Sequence, residues 1–366
     1  MKIEIIKDKL LAAITQAERI AGKHISLPIL SCVIIEAREG VVSVKATNLD
    51  VGIEISVVAK IFEDGVVALQ GSLLKSFVSS LGNNKSVLFE VKEGACIISS
   101  GSSEASFRIT SPDDFPVIPR VSGDNPLVIP SKDFVLGLRS VVWSAAVSSI
   151  KPELSSVYIY EDDSFLVFVA TDSFRLAEKR VKTKNIKNLE PLLIPFKNSL
   201  EIVRVFEDFD GDLKIFVSKN QLSILTENIH LSSRVVDGNF PDYRQIIPKE
   251  YETEANILKS DFVSAIKISG IFANNFNQLL LSFDTANKKI DLLAKNNDIG
   301  EGKQSLKAVL KGKDVSMSFN HKFILDCLHI IEDENIVLKM AGVGKPMIIA
   351  PAHNPSFVYL VMSMNK

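Results

Sequence analysis

Two patterns of apolar and polar residues alternate along the chain. Short runs such as residues 41–47 and 53–57 place an apolar side chain at every second position, which is typical of β-strands. Leu10, Ile14 and Ala17 instead recur at the spacing of one helical face and predict an amphipathic helix. Strands dominate, so the pattern favours an α+β fold. Six short helices are predicted, at residues 7–23, 72–81, 132–146, 196–206, 259–270 and 321–331.

The predicted elements recur three times. The second helical segment of each copy begins at residue 71, 196 or 321, so the copies are 125 residues apart. The strand end Ala46–Asn48 returns as Ala170–Asp172. A fixed period indicates repeated units, and this one has the length of a small domain rather than of a solenoid repeat. We expect three domains, 1–124, 125–250 and 251–366, each with two helices packed on antiparallel sheets.

The composition limits the class and location of the protein. With 366 residues, 46% of them hydrophobic, the chain can bury a core in each domain. No run approaches the ~20 apolar residues of a membrane span, and charges near residue 1 argue against a signal peptide, so we expect a cytoplasmic protein. Cys32, Cys96 and Cys327 are odd in number and lie among apolar residues, which predicts buried, reduced thiols.

The charge is unevenly distributed. The net charge is only −2, which alone argues against a nucleic-acid partner. The six predicted helices, however, carry +6 between them and leave −8 for the rest of the chain. Lysine and arginine on solvated helix faces would explain this equally well, unless all the helices share one surface.

No catalytic or metal-binding motif has the context that it requires. Ser72-Leu-Leu-Lys75 fits the S-x-x-K pattern of acyl-serine enzymes, but the companion S-D-N and K-T-G elements are absent. Residues 342–345 are similar to the end of a phosphate loop, yet Pro346 follows where Ser or Thr and a helix are needed. The five histidines show no metal spacing. Three serial copies of one domain favour a scaffold or a closed ring over an enzyme.

Five segments carry a resemblance to a known family: Ser26–Leu30, Ala170–Ala177, residues 194–197, Val235–Arg244 and Val358–Met364. Together they resemble the bacterial DNA polymerase III β subunit, which is the replicative sliding clamp. The likeness runs in register over the whole length. It implies a DNA-clamp fold in which two chains join head to tail, so that three domains per chain become a six-domain ring. It also implies a non-catalytic subunit without a cofactor.

Elementary geometry fits a ring of this kind. Two helices in each of six domains, about 10 Å apart, give a circumference of about 120 Å and a hole roughly 28 Å wide. A B-form duplex passes through such a hole with room for water, and phosphate attraction without base contacts lets the ring slide. The candidate DNA-facing residues are Arg19, Lys23, His24, Lys75, Arg139, Lys197, Arg204 and Lys267.

The resemblance also implies a hydrophobic groove that binds short peptides. The partners that it implies, besides double-stranded DNA and a second copy of the chain, are the DNA polymerase III alpha subunit, the clamp loader, other polymerases and repair factors. Methionine and aliphatic side chains suit an adaptable apolar pocket, and we expect Arg175 or Asn320 to hold peptide carbonyls. The predicted groove residues are Leu154, Thr171, Ser173, Phe174, Arg175, Leu176, Pro241, Ile246, Asn320, Phe323, Val361, Met362 and Met364.

Three departures from the family pattern fall at the groove. Phe174 stands where the family often has His, Ser363 where Pro is common, and Gln245 where Arg is frequent. We therefore expect the same class of peptide with an altered side-chain preference. For the dimer seam, Ile271 and Phe272 are expected to follow a helix ended by Gly270 and to pack on the edge strand near Phe107 of a second copy.

Two alternatives stay open at this point. A repeat-built interaction scaffold without DNA would share the domain pattern but would not close and trap circular duplex. An S-x-x-K hydrolase would be labelled at Ser72 by an acylating probe.

Overall fold

The computed structural model describes residues 1–22, 27–82, 85–148, 150–183 and 189–364. These residues form six α-helices and 26 strands in four sheets, and every strand pairing is antiparallel. The α+β fold predicted from the apolar pattern is therefore confirmed.

All six predicted helices are present in the described ranges, and four of them end earlier than predicted. The first ends at Ile20 rather than at residue 23, and the third ends at Val141, where the chain tightens into the 3₁₀ turn Val142–Ser144. The last ends at Leu328 rather than at residue 331. The helices are α1 (Lys7–Ile20), α2 (Gly71–Ser80), α3 (Ser131–Val141), α4 (Phe196–Phe206), α5 (Lys259–Gly270) and α6 (His321–Leu328).

The strands repeat in the predicted order, and the bounds below follow the chain. The first repeat contains β1 (Lys2–Ile6), β2 (Cys32–Arg38), β3 (Val41–Thr47), β4 (Val51–Val57), β5 (Ala59–Glu63), β6 (Gly65–Gln70), β7 (Ser86–Lys92), β8 (Ala95–Ser100) and β9 (Ser103–Arg108). The second contains β10 (Leu127–Pro130), β11 (Ser156–Asp162), β12 (Phe165–Thr171), β13 (Arg175–Lys182), β14 (Leu192–Pro195), β15 (Asp212–Ser218), β16 (Gln221–Leu225) and β17 (Ile229–Arg234). The third contains β18 (Thr253–Leu258), β19 (Gln278–Asp284), β20 (Lys289–Asn296), β21 (Gly300–Lys307), β22 (Val309–Gly312), β23 (Val315–Asn320), β24 (Asn335–Met340), β25 (Met347–Pro351) and β26 (Phe357–Val361).

Each repeat therefore runs strand, helix, four or five strands, helix, three strands. The chain divides into two compact units, Met1–Val135 with Lys197–Asp237, and Leu136–Phe196 with Gly238–Lys366. The predicted domain boundaries near residues 124 and 250 stay a prediction.

The first unit contains two sheets. The order of one is β5-β1-β7-β8-β9, and the order of the other is β10-β15-β16-β17-β4-β3-β2-β6. The second sheet joins strands of the first two repeats through the β17–β4 pair, in which Leu231 lies opposite Ile53. Helices α1 and α2 pack against each other, and the apolar face of α1, including Leu10 and Ile14, is buried on β3 and β4.

The second unit also contains two sheets. Nine strands follow the order β14-β11-β12-β13-β26-β25-β24-β18-β22, and four follow β21-β20-β19-β23. The larger sheet joins the second and third repeats through the β13–β26 pair, in which Leu176 lies opposite Leu360. Both of these side chains belong to a buried cluster with Val169 and Tyr243. Helix α5 packs on α6 and on strands β20 and β21 of the smaller sheet.

The sequence predicts hairpin corners at positions that include Glu39-Gly40, Asp64-Gly65, residues 82–84 and Gly94, and this prediction is correct in part. Glu39 and Gly40 both have positive φ and close the β2–β3 hairpin, and Glu93 and Gly94 do the same between β7 and β8. Gly65, however, has no positive φ, because the strands on its two sides, β5 and β6, belong to different sheets and form no hairpin. The predicted corner at residues 82–84 falls partly on residues 83 and 84, outside the described ranges.

The three cysteines are free and buried, as predicted. Burial raises the pKa of the Cys96 thiol to about 12, so this group stays protonated and unreactive at neutral pH. Within the described ranges, no group of three His, Cys, Asp or Glu side chains is placed to hold a metal ion. No helix in these ranges has the length and apolar content that crossing a bilayer would need.

Candidate functional site

A cavity of about 720 Å³ opens on the surface of the second unit, and we call it the Phe174 cavity. Four segments form its walls: the turn between β12 and β13, the loop after α5, the first turn of α6 and the chain beyond β26. The lining residues are Phe174, Asn274, Phe276, Gln278, Asn320, Phe323, Met362, Ser363 and Met364.

The turn between β12 and β13 is fixed by its own side chains. Asp172 accepts hydrogen bonds from the backbone N–H groups of Phe174 and Arg175, each at 3.0 Å, and the Thr171 hydroxyl donates to the Arg175 carbonyl. Ser173 takes the left-handed conformation with φ of 77°. This compact turn directs the Phe174 side chain outward, so that Phe174 is 64% exposed.

The chain beyond β26 connects two sheets and forms one wall of the cavity. The Met362 N–H donates to the Phe174 carbonyl at 2.8 Å, and the Met364 N–H donates to the carbonyl of Ser318 in β23 at 2.8 Å. Because β26 and β23 belong to different sheets, these bonds hold the segment 362–364 across the gap between them. The methionine side chains then offer a flexible, polarisable surface to a ligand.

The opposite wall comes from α6 and the loop after α5. Asn320 caps α6 by accepting the Lys322 N–H, which places Phe323 in the first helical turn. Asn274 fixes the loop by accepting the backbone N–H groups of Phe276 and Gln278. The Phe276 ring is 72% exposed, so two aromatic rings, Phe174 and Phe276, stand at the cavity with little cover.

Arg175 is already engaged by acidic side chains. Its Nε donates to Asp172 Oδ2 at 2.9 Å, its Nη1 donates to Asp326 Oδ2 at 2.5 Å, and its guanidinium lies 4.4 Å from the centre of the Phe323 ring. Two donors of Arg175 are thus engaged within the chain, and the expectation that Arg175 or Asn320 holds peptide carbonyls stays a prediction. The guanidinium packs against an aromatic wall of the cavity.

The predicted groove residues fall into four groups. Phe174, Asn320, Phe323, Met362 and Met364 line the Phe174 cavity, and Thr171, Ser173 and Arg175 form the turn beside it. Leu154, Leu176 and Val361 are buried and belong to the core. Ile246 is exposed, and Pro241 lies in a separate shallow cleft with Tyr158, Tyr160 and Arg244. As a groove, this set stays a prediction.

Three cavity residues were missed by sequence reasoning. Asn274, Phe276 and Gln278 all lie in or next to the loop that follows α5. The sequence contained a signal for this loop. Phe276 lies among three asparagines, at positions 274, 275 and 277, and an aromatic residue in such a polar turn is expected to be exposed rather than buried.

The predicted DNA-facing residues lie on five of the helices. Arg19, Arg139, Arg204 and Lys267 are in the last turns of α1, α3, α4 and α5, where a positive charge is favoured by the helix dipole. Lys197 is in the first turn of α4, and Lys75 lies within α2. Lys23 and His24 lie outside the described residues.

Two of these basic groups have acidic partners. Lys75 Nζ lies 3.1 Å from Glu18 Oε2, and Arg204 pairs with Glu201 one turn earlier on α4. Arg19, Arg139 and Lys197 are exposed and have no carboxylate within 4 Å in the described part of the chain. Their charges are therefore available to a polyanion.

A second cavity, the Trp143 cleft, lies between α3 and α6 in the second unit. Its volume is about 530 Å³. It contains both signs of charge and the half-exposed ring of Trp143. The lining residues are Leu136, Arg139, Ser140, Trp143, Asp326, His329, Ile330 and Glu332.

The predicted seam residues differ in exposure. Ile271 is exposed just after α5, which ends at Gly270 as expected, although Gly270 has no positive φ. Phe272 packs on its own chain, since a Cβ added at Gly302 in β21 would lie 2.5 Å from the Phe272 ring. Phe107 is buried in β9, with its ring edge-on to Phe77. The role of all three in a seam stays a prediction.

Comparison with known proteins matches almost the whole chain to one family. The DNA polymerase III beta subunit models match in order: the N-terminal domain at residues 1–119, the central domain at 128–242 and the C-terminal domain at 244–365. The chain belongs to the DNA polymerase III beta subunit family. As a beta subunit it is a sliding clamp, a non-catalytic processivity factor in DNA replication.

Individual beta subunits are similar over their full length. The beta sliding clamp of Staphylococcus epidermidis is 26% identical, with 99% of this chain and 98% of that protein covered. The beta sliding clamp of Staphylococcus aureus is 25% identical over the same shares. The DNA polymerase sliding clamp of Bacillus subtilis superposes with a TM-score of 0.94 at 25% identity, covering 100% of this chain and 99% of that one. These matches confirm the clamp fold.

Proposed function

We propose that two copies of this beta subunit join head to tail into a closed ring around duplex DNA, and that the ring slides without sequence preference while it tethers polymerases and other factors. The observation that carries the proposal is the repeated strand pairing between repeats, which leaves β9 and β21 of each chain without the partners that the corresponding strands have. Three domains near the predicted boundaries would then become six around the ring.

The two junctions between repeats follow one rule. In each of the first two repeats, the third strand after the first helix pairs with the last strand of the next repeat. Strand β4 of the first repeat pairs with β17 of the second, and β13 of the second pairs with β26 of the third. Both pairs are antiparallel. Each joins strands of two repeats into one sheet, which has eight strands in the first unit and nine in the second.

The same rule leaves two edges unpaired. In the third repeat, β21 corresponds to β4 of the first repeat and β13 of the second. In the first repeat, β9 corresponds to β17 of the second repeat and β26 of the third. Both are outer strands of their sheets with no second neighbour among the described strands. An exposed edge is a template for pairing with another chain, and β21 of one copy meeting β9 of the next gives a head-to-tail contact that can close.

The basic helix residues support the DNA partner. Arg19, Arg139, Lys197 and Lys267 are exposed on α1, α3, α4 and α5, while the chain as a whole is slightly acidic. Phosphate attraction of this kind is independent of sequence, so a ring held on DNA by topology can slide along a nearly flat energy surface. The acidic remainder disfavours binding of DNA elsewhere.

The Phe174 cavity supports the tethering role. Exposed aromatic rings and methionines form an apolar surface that a short peptide can bury, and Asn320 and Gln278 add polar groups for its backbone. We infer that the clamp-binding peptides of the DNA polymerase III alpha subunit, the clamp loader, other polymerases and repair factors bind here.

Retention on circular DNA tests the proposal. Clamp is loaded on a singly nicked circular plasmid with the clamp loader and ATP, and the complex is separated from free clamp by gel filtration. We expect clamp to co-elute with the circle at high salt and to be released when a restriction enzyme linearises the plasmid. A protein retained equally on both forms binds by affinity alone, and a protein retained on neither is a scaffold without DNA; either result overturns the ring.

A further inference from the structure

Asp326 lies on the same face of α6 as Phe323 but does not itself line the Phe174 cavity. The two residues are three positions apart, so their side chains are neighbours on the helix. Asp326 accepts the Nη1–H of Arg175 at 2.5 Å across a sequence separation of 151 residues. Its side chain is 47% exposed and also borders the Trp143 cleft.

Arg175 connects Asp326 to the wall of the Phe174 cavity. Its side chain is only 11% exposed, because it lies between two carboxylates and the face of Phe323. Burial acts against its charge, but Tyr359, Asp172 and Asp326 together raise the pKa of the guanidinium, so it is charged at any working pH. The Phe323 carbonyl also accepts a hydrogen bond from the Tyr359 hydroxyl at 2.8 Å, which fixes the helix backbone beside the guanidinium.

The two carboxylates have different tasks. Asp172 also accepts two backbone N–H groups of its own turn, so a change there would disturb Phe174 directly. Asp326 has Arg175 as its hydrogen-bond partner in the described part of the chain and supports no turn. A substitution at Asp326 therefore tests the position of the guanidinium while the turn stays intact.

We propose that Asp326 is a positioning residue for peptide recognition. Through Arg175, whose guanidinium packs on the Phe323 ring, it fixes that ring as a wall of the Phe174 cavity. The inference rests on the proposed function of the cavity as the peptide site. It assigns to Asp326 an effect on affinity without contact with the peptide.

The test is peptide binding by three variants of the full-length clamp. Fluorescence anisotropy is measured with a labelled synthetic peptide carrying the clamp-binding segment of the same organism's DNA polymerase III alpha subunit. We expect Asp326→Asn to weaken binding about five-fold, because a half-exposed ion pair contributes about 1 kcal/mol. We expect Asp326→Glu to restore most of the affinity, and Glu332→Gln, which removes a charge from the same cleft without touching Arg175, to bind as the unmodified clamp does.

A double-mutant cycle separates positioning from general destabilisation. If Asp326 acts through the Phe323 ring, Asp326→Asn has little further effect once Phe323 is replaced by Leu. Additive losses, or equal binding by Asp326→Asn and the unmodified clamp, overturn the inference while the peptide site stands. Failure of the unmodified clamp to bind the peptide would instead reject the proposed function of the cavity.

Discussion

At the scale of single residues, Gly137 shows how a missing side chain sets a packing distance. It lies within α3, and a Cβ added there would lie 2.3 Å from the ring of Phe168 in β12. Real Cβ atoms do not approach other atoms so closely, and Phe168 is fully buried, so its ring has no free space into which to move. Glycine therefore lets this helix lie directly on the sheet.

Replacing Gly137 by Ala is expected to destabilise the protein by about 2 kcal/mol, because the cost of overpacking exceeds the gain in helix propensity. Urea unfolding followed by circular dichroism measures the change. Gly123→Ala is the matched control, since a Cβ at Gly123 would meet no atom within 4 Å. Equal midpoints for the two variants would show that α3 can move away from Phe168 at little cost.

The residue scale also limits what the sequence could predict. The place of Phe174 and Met362 at a cavity was predictable, because both lie in segments that resemble the family. Both are also apolar residues outside the strands, where polar residues are usual. The engagement of Arg175 was not predictable, because its partner Asp326 is 151 positions away and only the fold brings them together. Leu176 and Val361, which the resemblance places in the groove, are buried in the paired strands β13 and β26, and their role in the groove stays a prediction.

At the scale of elements, the β4–β17 pair contains a charge network within the first unit. His230 Nδ1 lies 3.9 Å from Glu54 Oε2, and Lys45 Nζ lies 3.3 Å from Glu54 Oε1 and bonds Glu36. The His230 imidazole lowers the pKa of Glu54 to about 2. Lys45 contributes in the same direction, whereas burial of the carboxylate acts in the opposite direction. Protonation of Glu54 therefore opposes the pairing of the first two repeats.

The pH dependence of stability follows from this lowered pKa. Because the unfolded state takes up a proton near pH 4.5 and the folded state only near pH 2, the contribution of Glu54 is complete above this window and is lost as the pH falls through it. We expect Glu54→Gln to lower stability at neutral pH by about 1 kcal/mol, after allowance for partial exposure, and to flatten the acid loss.

Urea unfolding at a series of pH values measures both effects. Glu227→Gln, at an exposed site just before β17, serves as the control and should follow the unmodified protein. A Glu54→Gln curve parallel to that of the unmodified protein down to pH ~2 would mean that the network contributes nothing specific.

Elements were the part of the fold most accessible from sequence. The three-fold recurrence of apolar periods predicted six helices and the strand order around them, because burial of one face fixes the local period. The end of α3 was placed too far along, because the apolar residues Val142 and Trp143 continue into a 3₁₀ turn. Sheet membership, such as the separation of β5 from β6, depends on long-range pairing that no local pattern encodes.

At the scale of the whole molecule, the proposed ring depends on β9 and β21. Phe272 packs over Gly302 in β21, and Ile271 beside it is exposed, so both lie near one of the unpaired edges. The repeat pattern favours three domains and a closed assembly, and the sequence places one side of the predicted seam on the edge strand near Phe107, which is β9. It could not identify β21 as the other side, because that strand is proposed from the pairing at the two internal junctions.

We expect Phe272→Asp to yield monomers, because a carboxylate at this place removes apolar packing beside the edge of β21 and adds an uncompensated charge. Mass from forward X-ray scattering measures the change, and thermal unfolding shows whether the variant folds. Phe276→Asp, an exposed aromatic on the same loop away from that edge, should stay dimeric. A folded Phe272→Asp protein that remains a dimer would contradict the proposed seam.

The half-exposed ring in the Trp143 cleft is the only tryptophan of the chain. Emission excited selectively in the indole band therefore comes from a single known position, next to Arg139 and Asp326, with no labelling chemistry needed. A duplex that passes over α3, or a change in the partners of Asp326, alters the polarity around that one chromophore. The protein contains its own optical reporter, at a place between the proposed DNA surface and the peptide cavity.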